Sequence, residues 1–365
     1  MGITVRIRKN LSAAFSIELD FESSSGALGI LGPSGSGKSM TLKCIAGIEK
    51  PDEGYIAVDG RTLFDSTKRI NLRPQERRVG YLFQNYALFP NMTVLENILS
   101  PPPSPRPSPP RSTALRRAGA YRWVERFGLE GLENRYPRRL SGGQQQRAAL
   151  ARMLAAQPAA ALFDEPFSAL DSTLREYMQL QLQELLREDE CGVFRNAILV
   201  THNRDEAYRL CPELAVMKNG SVIVKGDTRC VFQNPRFVSA ASLTGCKNIS
   251  PVRRLSENEV FALDWGLRLR LNGSAGDLTH IGIRAHDLVS INDPAPTGGG
   301  FNEVRVSVSR LSSEPFEEVV LFTNADARDP SEKKEIWWKY SKYMGQAVPE
   351  KLFLPPEALL PLKDG

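Results

Sequence analysis

Apolar and polar residues alternate from the start of the chain: Val5 and Ile7, then Phe15, Ile17, Leu19 and Phe21, each separated by a polar neighbour. That period of two predicts two short, half-buried strands. Continuous apolar runs follow, ALGIL at 27–31, AAALF at 159–163 and AILVTH at 197–202. The first passes into a glycine-rich turn and a helix-like stretch from Lys38 to Ala46, closed by Gly47. The second ends in Asp164 and Glu165, the third in His202. Apolar strands separated by helical stretches predict a parallel α/β sheet, and ligands gather at the carboxyl ends of such strands.

Beyond about residue 235 the pattern shortens into β-like runs, VFALDWGLRLRL, HIGIRAHDLVSI, EVRVSVSRL and FEEVVLFT, with turn-rich breaks such as APTGGG. A small, separate, barrel-like β domain is expected there. One segment fits neither half. PPPSPRPSPPR at 101–111 is proline-rich and compatible with neither helix nor central strand. Read by itself, it is an extended surface linker as readily as anything functional.

Length and composition narrow the classes. With 365 residues there is room for two domains, and 41% hydrophobic with 24% charged residues is ordinary for globular chains. The 47 basic against 42 acidic side chains leave +5, a mild excess without the concentrated basic stripe of a nucleic-acid binder. Cys44, Cys191, Cys211, Cys230 and Cys246 are scattered, and neither they nor His202, His280 and His286 have metal-ligand spacing. A reducing compartment is expected, with neither disulfide framework nor zinc site. No stretch approaches the roughly 18 apolar residues of a membrane span. The opening MGITVRIRKN carries charge without a following apolar run, so no signal peptide is expected.

Three motifs carry chemistry. Gly32-Pro33-Ser34-Gly35-Ser36-Gly37-Lys38-Ser39 has the G-x-x-x-x-G-K-[ST] spacing of a phosphate-binding loop in its strand–loop–helix setting. Its backbone N–H groups and helix N-terminus favour phosphate, Lys38 neutralises the β- and γ-oxygens, and the Ser39 hydroxyl reaches Mg²⁺. In LFDEP, Asp164 is placed to hold the metal and Glu165 to polarise the attacking water. Alone, that pair would be an acidic turn ending a strand. LSGGQQQR, from Leu140 to Arg147, sets Ser141 as the cap of a helix reaching Pro158. A cap needs only Ser141, and leaves Gly142, Gly143 and Gln144 unexplained.

GPSGSGKS, LSGGQ, LFDEP, SALD (Ser168 to Asp171) and the strand-terminal His202 together resemble, in order and spacing, the ABC ATPase family over residues 1 to about 235. The resemblance implies an ABC-type ATPase domain over 1–235, with a parallel sheet core and a helical subdomain at about 85–155 that holds the Pro-rich insert. A C-terminal β accessory domain would occupy 236–365. It also implies roles. Gln84 would touch Mg²⁺ and water and sense the membrane partner, and His202 would contact the γ-phosphate. Met40 belongs to the nucleotide loop, and Phe15 is the candidate adenine-stacking aromatic, with Phe21 competing. Ser141, Gly142, Gly143, Gln144 and Asp171 would act in trans, closing over the ATP of a second copy.

The finer resemblance is to oxyanion importer ATPases, through GRTLFDSTKRINLRPQERRVGYLFQNYALFPNMTVLENI and CIAGIEKPDEG. LTGCKN, ALDWG and IGIRAHD resemble the accessory domain of molybdate-type members. Molybdate is the expected solute, with sulfate/thiosulfate or another small solute as the alternative. Implied partners are transmembrane permease subunits and, indirectly, a periplasmic or surface-anchored oxyanion-binding protein. The chain would then lie peripherally at the cytoplasmic face of the membrane. An ABC-type ATPase acting on nucleic acid is the other class. Repair members insert a long coiled coil and translation members carry two cassettes, and neither feature is present. A non-hydrolysing adaptor would not need Glu165, Gln84 and His202 together. The Pro-rich tract falls where the family continues as helix and docks its membrane subunit, which puts coupling in doubt while sparing nucleotide binding.

Overall fold

The computed structural model describes residues 2–364 apart from 24–25, 101–112, 169, 189–195, 291–301, 328–333 and 345–347. The Pro-rich tract, Cys191 and the APTGGG break lie outside the described residues. The chain divides into two compact units, Met1–Arg229 and Cys230–Gly365.

In the first unit the alternating segments are β1 (Ile3–Ser12) and β2 (Phe15–Ser23), an antiparallel pair with Val5 opposite Phe21 and Ile7 opposite Leu19. β3 (Gly26–Leu31) leads to α1 (Lys38–Ala46). Then come β4 (Glu53–Val58), β5 (Arg61–Asp65), β6 (Ile70–Asn71), α2 (Pro74–Arg77) and β7 (Val79–Leu82). Helices α3 (Val94–Leu99), α4 (Thr113–Arg126) and α5 (Gly142–Ala155) precede β8 (Ala160–Asp164). The unit ends with α6 (Ser172–Glu188), β9 (Asn196–Thr201), α7 (Arg204–Leu210), β10 (Glu213–Lys218) and β11 (Ser221–Asp227).

Among the described residues these strands form one sheet, ordered β6-β5-β4-β1-β2-β11-β10-β3-β9-β8-β7. β10, β3, β9, β8 and β7 run parallel, and β3, β8 and β9 are buried along nearly their whole length. That burial explains their unbroken apolar runs, because a parallel sheet is covered on both faces. One apolar cluster joins β1 and β2 (Val5, Ile17, Leu19) to α1 (Leu42, Ile45) and to Leu162 and Val200. A second packs α3, α4, α5 and α6 against Leu82, Phe163 and Leu199. Consecutive residues of β8 and β9 thus point to opposite clusters.

The helix behind the phosphate loop is closed by the expected Gly47 and braced by an arginine the sequence did not flag. Gly47, at φ +78°, is the C-cap of α1. Arg77 is almost fully buried and donates from Nη1 to Cys44 O and Ile45 O, both at 2.8 Å. Its Nε reaches Leu72 O, and Nη2 reaches Asn71 Oδ1. A Cβ at position 47 would lie 2.4 Å from the Arg77 Nε, so glycine and guanidinium fit as a pair. Helix-terminal carbonyls left without intrahelical partners are satisfied in this way.

The second unit holds the expected short strands in two antiparallel sheets. One is ordered β14 (Leu267–Arg270), β13 (Glu259–Ala262), β12 (Asn248–Arg254), β15 (His280–Ile283), β21 (Leu360–Leu362). The other is β16 (Val289–Ser290), β20 (Lys351–Phe353), β17 (Glu303–Ser313), β18 (Glu317–Asn324), β19 (Ile336–Ser341). Leu269, Ile281, Val320, Phe322, Trp265 and Trp338 fill a shared core in a half-barrel-like domain. The motif residues of this unit act as struts. Asn248 of LTGCKN exchanges two hydrogen bonds with the Trp337 backbone, and Arg284 of IGIRAHD donates to Thr244 O and Phe232 O. Trp265 of ALDWG is fully buried. Among the described residues, no helix is long and apolar enough to cross a membrane.

Candidate functional site

The site begins where β3 stops. Gly32 has no room for a side chain, since a Cβ there would lie 2.4 Å from Met217 O of β10. Gly35 and Gly37 hold φ of +80° and +99°, conformations that favour glycine. The loop therefore turns tightly from strand to helix and delivers Lys38 at the first turn of α1. Pro33 and Ser34 are exposed, whereas Ser36 is buried with no hydrogen-bond partner for its Oγ. Lys38 is itself buried and donates to Gly32 O at 2.8 Å and Pro33 O at 2.9 Å. Burial lowers its pKa, while the Glu165 and Asp164 carboxylates act in the opposite direction.

The parallel order β3-β9-β8 brings three strand ends together. Ser39 Oγ donates to Asp164 Oδ1 at 2.7 Å. The other carboxylate oxygen, Oδ2, accepts a 2.7 Å hydrogen bond from the Tyr81 hydroxyl on β7. Burial, reinforced by the adjoining Asp164 carboxylate, pushes the Tyr81 pKa strongly up, so the phenol stays protonated and donating. Glu165, directly after β8, takes φ +46°, an uncommon left-handed conformation for a side-chain-bearing residue. Its N–H donates to Val200 O on β9. Its Oε1 lies 3.3 Å from His202 Nδ1.

The residues on either side of His202 are braced. Thr201 Oγ1 donates to the buried Glu206 at 2.6 Å and accepts the Asn203 N–H at 3.0 Å. Glu206 also accepts from Gln179 of α6, and burial raises its pKa. Gln84 is exposed and follows β7; its Nε2 is 3.4 Å from Ser168 Oγ, which donates to Glu165 O at 3.0 Å. Gln84 therefore reaches the acidic turn through Ser168.

The loop beyond Gln84 is fixed by two side chains that sequence reading passed over. Asn97, fully buried on α3, accepts the Phe89 N–H and donates to Phe89 O, Met92 O and Thr93 O. Arg152 of α5 donates to Ala87 O at 2.8 Å and Tyr86 O at 3.3 Å, with its guanidinium 5.1 Å from the Phe89 ring centroid. Tyr86 and Ala87 both have positive φ.

The LSGGQ residues sit at the start of α5. Ser141 Oγ accepts the Gln144 N–H, and Gln144 Oε1 accepts the Ser141 N–H, a reciprocal capping box. A Cβ on Gly143 would fall 2.1 Å from Leu174 Cδ2, while one on Gly142 would meet nothing within 4 Å. Asp171 Oδ1 accepts the Leu174 N–H and so caps α6 beside Gly143. Phe15 and Met40 are partly buried against the cluster of β1, β2 and α1. Phe21 is 3% exposed, which leaves it no face for a ligand.

A glycine turn at a helix N-terminus, a buried lysine, a hydroxyl–carboxylate pair and an adjacent Glu–His pair, all at parallel strand ends, define a P-loop ATPase. The comparisons are more specific. Residues 16–168 match the family described as ABC transporter. The chain is 35% identical, over 88% of its own length and 94% of the relative's, to a sulfate/thiosulfate import ATP-binding protein of Thermosynechococcus vestitus. It is 37% identical to the protein of that name in Synechocystis, covering 81% of this chain and 77% of the relative. A spermidine/putrescine import ATP-binding protein of Acidothermus cellulolyticus is 39% identical over 78% of this chain and 67% of that one. A solved dimeric ATP-binding cassette in a post-hydrolysis state, bound to ADP and Pi, superposes with a TM-score of 0.51 at 30% identity. It covers 62% of this chain and 99% of that one. The chain belongs to the ABC transporter ATP-binding subunits, which bind and hydrolyse ATP with Mg²⁺.

The residues present fit those ligands. The Ser39 hydroxyl and Asp164 carboxylate, side by side, are the oxygen donors a hard divalent cation takes. The partnerless Ser36 hydroxyl and the buried Lys38 charge offer what phosphate oxygens accept from.

Proposed function

We propose that this chain energises an importer for a small oxyanion of the sulfate/thiosulfate kind, working as one of two copies that sandwich ATP between them. The observation that carries the catalytic part is the convergence of Lys38, Ser39, Asp164, Glu165 and His202 on the ends of β3, β8 and β9. The sulfate assignment draws on the names of the relatives and replaces the expectation of molybdate. The residues behind that expectation, Asn248, Trp265 and Arg284, are engaged in holding their own unit together.

In this reading the N–H groups of Gly35, Ser36, Gly37 and Lys38 cradle the phosphates, and Lys38 exchanges its loop carbonyls for β/γ-oxygens. Ser39 and Asp164 would hold Mg²⁺, with Gln84 completing its surroundings, and a bound ion would supply charge neutralisation at the phosphates. Glu165 accepts the proton of the attacking water as it approaches the γ-phosphorus in line with the leaving ADP oxygen. His202, whose Nδ1 lies 3.3 Å from Glu165 Oε1, stands beside that base and faces the γ-phosphate. From the other copy, Ser141, Gly142, Gly143, Gln144 and Asp171 close over the nucleotide, with Gly142 supplying the open backbone. Phe15 is the adenine platform. The copies act peripherally on permease subunits in the membrane, supplied by an external oxyanion-binding protein.

The test is uptake into ATP-loaded membrane vesicles carrying the chain with its permease. Labelled sulfate should enter, and Lys38→Ala should abolish entry. Entry of labelled molybdate or putrescine in place of sulfate would overturn the solute assignment. Entry undiminished by Lys38→Ala would overturn the coupling.

A further inference from the structure

Asp164 is held at both carboxylate oxygens, and only one of the two donors belongs to a motif of the chain. Ser39 takes Oδ1, and Tyr81, on the neighbouring strand, takes Oδ2 at the same 2.7 Å. Strand pairing sets this second contact, because β7 runs parallel to β8 with Tyr81 opposite Leu162 and Leu82 opposite Phe163. The ring leans on Phe83, with centroids 4.4 Å apart, and packs against the cluster under the sheet. A phenol fixed by its backbone, its ring packing and its hydroxyl has little freedom to release the carboxylate.

We propose that Tyr81 is a positioning residue for the cation site: its hydroxyl fixes the rotation of the Asp164 carboxylate and reserves Oδ1 for the metal beside Ser39. A carboxylate with both oxygens free can swing or chelate through both. One tied at Oδ2 presents a single ligand in one direction, the arrangement that suits a small octahedral ion such as Mg²⁺. Groups that orient a metal ligand from behind typically change metal affinity by about ten- to a hundredfold when removed. Tyr81 also stands three positions before Gln84, so one strand carries both the support for Asp164 and the start of the loop leading to the membrane partner.

The proposal rests on reading Ser39 and Asp164 as the cation's donors, and the experiment separates the two. The full chain is titrated with Mn²⁺ in the presence of a non-hydrolysable ATP analogue, and protein-bound metal is followed by electron paramagnetic resonance. Tyr81→Phe is expected to weaken that binding about tenfold. Its affinity for the analogue in EDTA should remain that of the wild type. Asp164→Asn is titrated alongside and should lose the metal. If Tyr81→Phe matches the wild type while Asp164→Asn loses it, the positioning role is overturned and the cation site stands. If Asp164→Asn also matches the wild type, the cation site and the role of Tyr81 fall together. Equal loss of analogue affinity in EDTA would mark Tyr81 as a support of the fold and overturn the proposal. Tyr81→Met, which also lacks the hydroxyl, provides the same readings if the Phe variant does not fold by circular dichroism.

Discussion

Single residues at this site are held in states that free amino acids would not choose. Glu165 sits at φ +46°, its backbone N–H donates to the Val200 carbonyl of β9, and its carboxylate lies beside His202. Replacing Glu165 with Gln keeps the shape and removes the base. Phosphate release should fall by roughly a hundredfold to ten-thousandfold with ATP binding intact, as measured by turnover beside equilibrium binding. Glu206 shows the cost of holding His202 in place. Burial raises its pKa above the ordinary 4.5, so the unfolded chain ionises it at a pH where the folded chain has not. Its contribution is complete below 4.5 and is lost as pH rises through the folded value. Glu206→Gln should therefore gain stability over the wild type as pH rises from 4.5 through the raised folded value, read from urea midpoints. A gap that stays constant with pH would contradict this.

Helices and strands carry the next set of consequences. The start of α5 has two adjacent glycines in unlike surroundings, Gly143 against Leu174 and Gly142 in the open. Gly143→Ala should destabilise the free chain by about 1–3 kcal/mol through overpacking. Gly142→Ala should leave its unfolding midpoint unchanged, so that any activity it loses reports on the partner copy. At the other end of α1, Arg77→Ala leaves the carbonyls of Cys44 and Ile45 without donors. It should lower stability by about 3 kcal/mol or more, measured by denaturant unfolding. These expectations also mark how far the sequence could be read. The strand ends bearing Lys38, Asp164, Glu165 and His202 were legible because buried parallel strands are continuous apolar runs broken by single polar residues. Arg77, Asn97, Arg152, Glu206 and Tyr81 were not. Each works through a partner distant in sequence or through a backbone carbonyl, and local spacing records neither. Phe15 was legible only as one member of an alternating strand, which fixes its side of the sheet and says nothing of adenine.

At the scale of the whole molecule, the two units build their cores separately. In Cys230–Gly365 Asn248 and Arg284, from the motifs that resemble molybdate-type members, brace their own unit. In Met1–Arg229 the two sets of motif residues differ in kind. Ser39 of the phosphate loop bonds Asp164 and Glu165 lies against His202, whereas Ser141 and Gln144 bond each other and a Cβ on Gly142 would meet nothing within 4 Å. In the proposed sandwich, one half of the ATP site is thus assembled within the chain, and the other half would be met by a second copy. The most direct measurement of that claim is the solution mass of the Glu165→Gln chain by light scattering, with Mg²⁺ and either ATP or ADP. The account predicts one chain with ADP and two with ATP. A mass that stays at one chain under saturating ATP would contradict it.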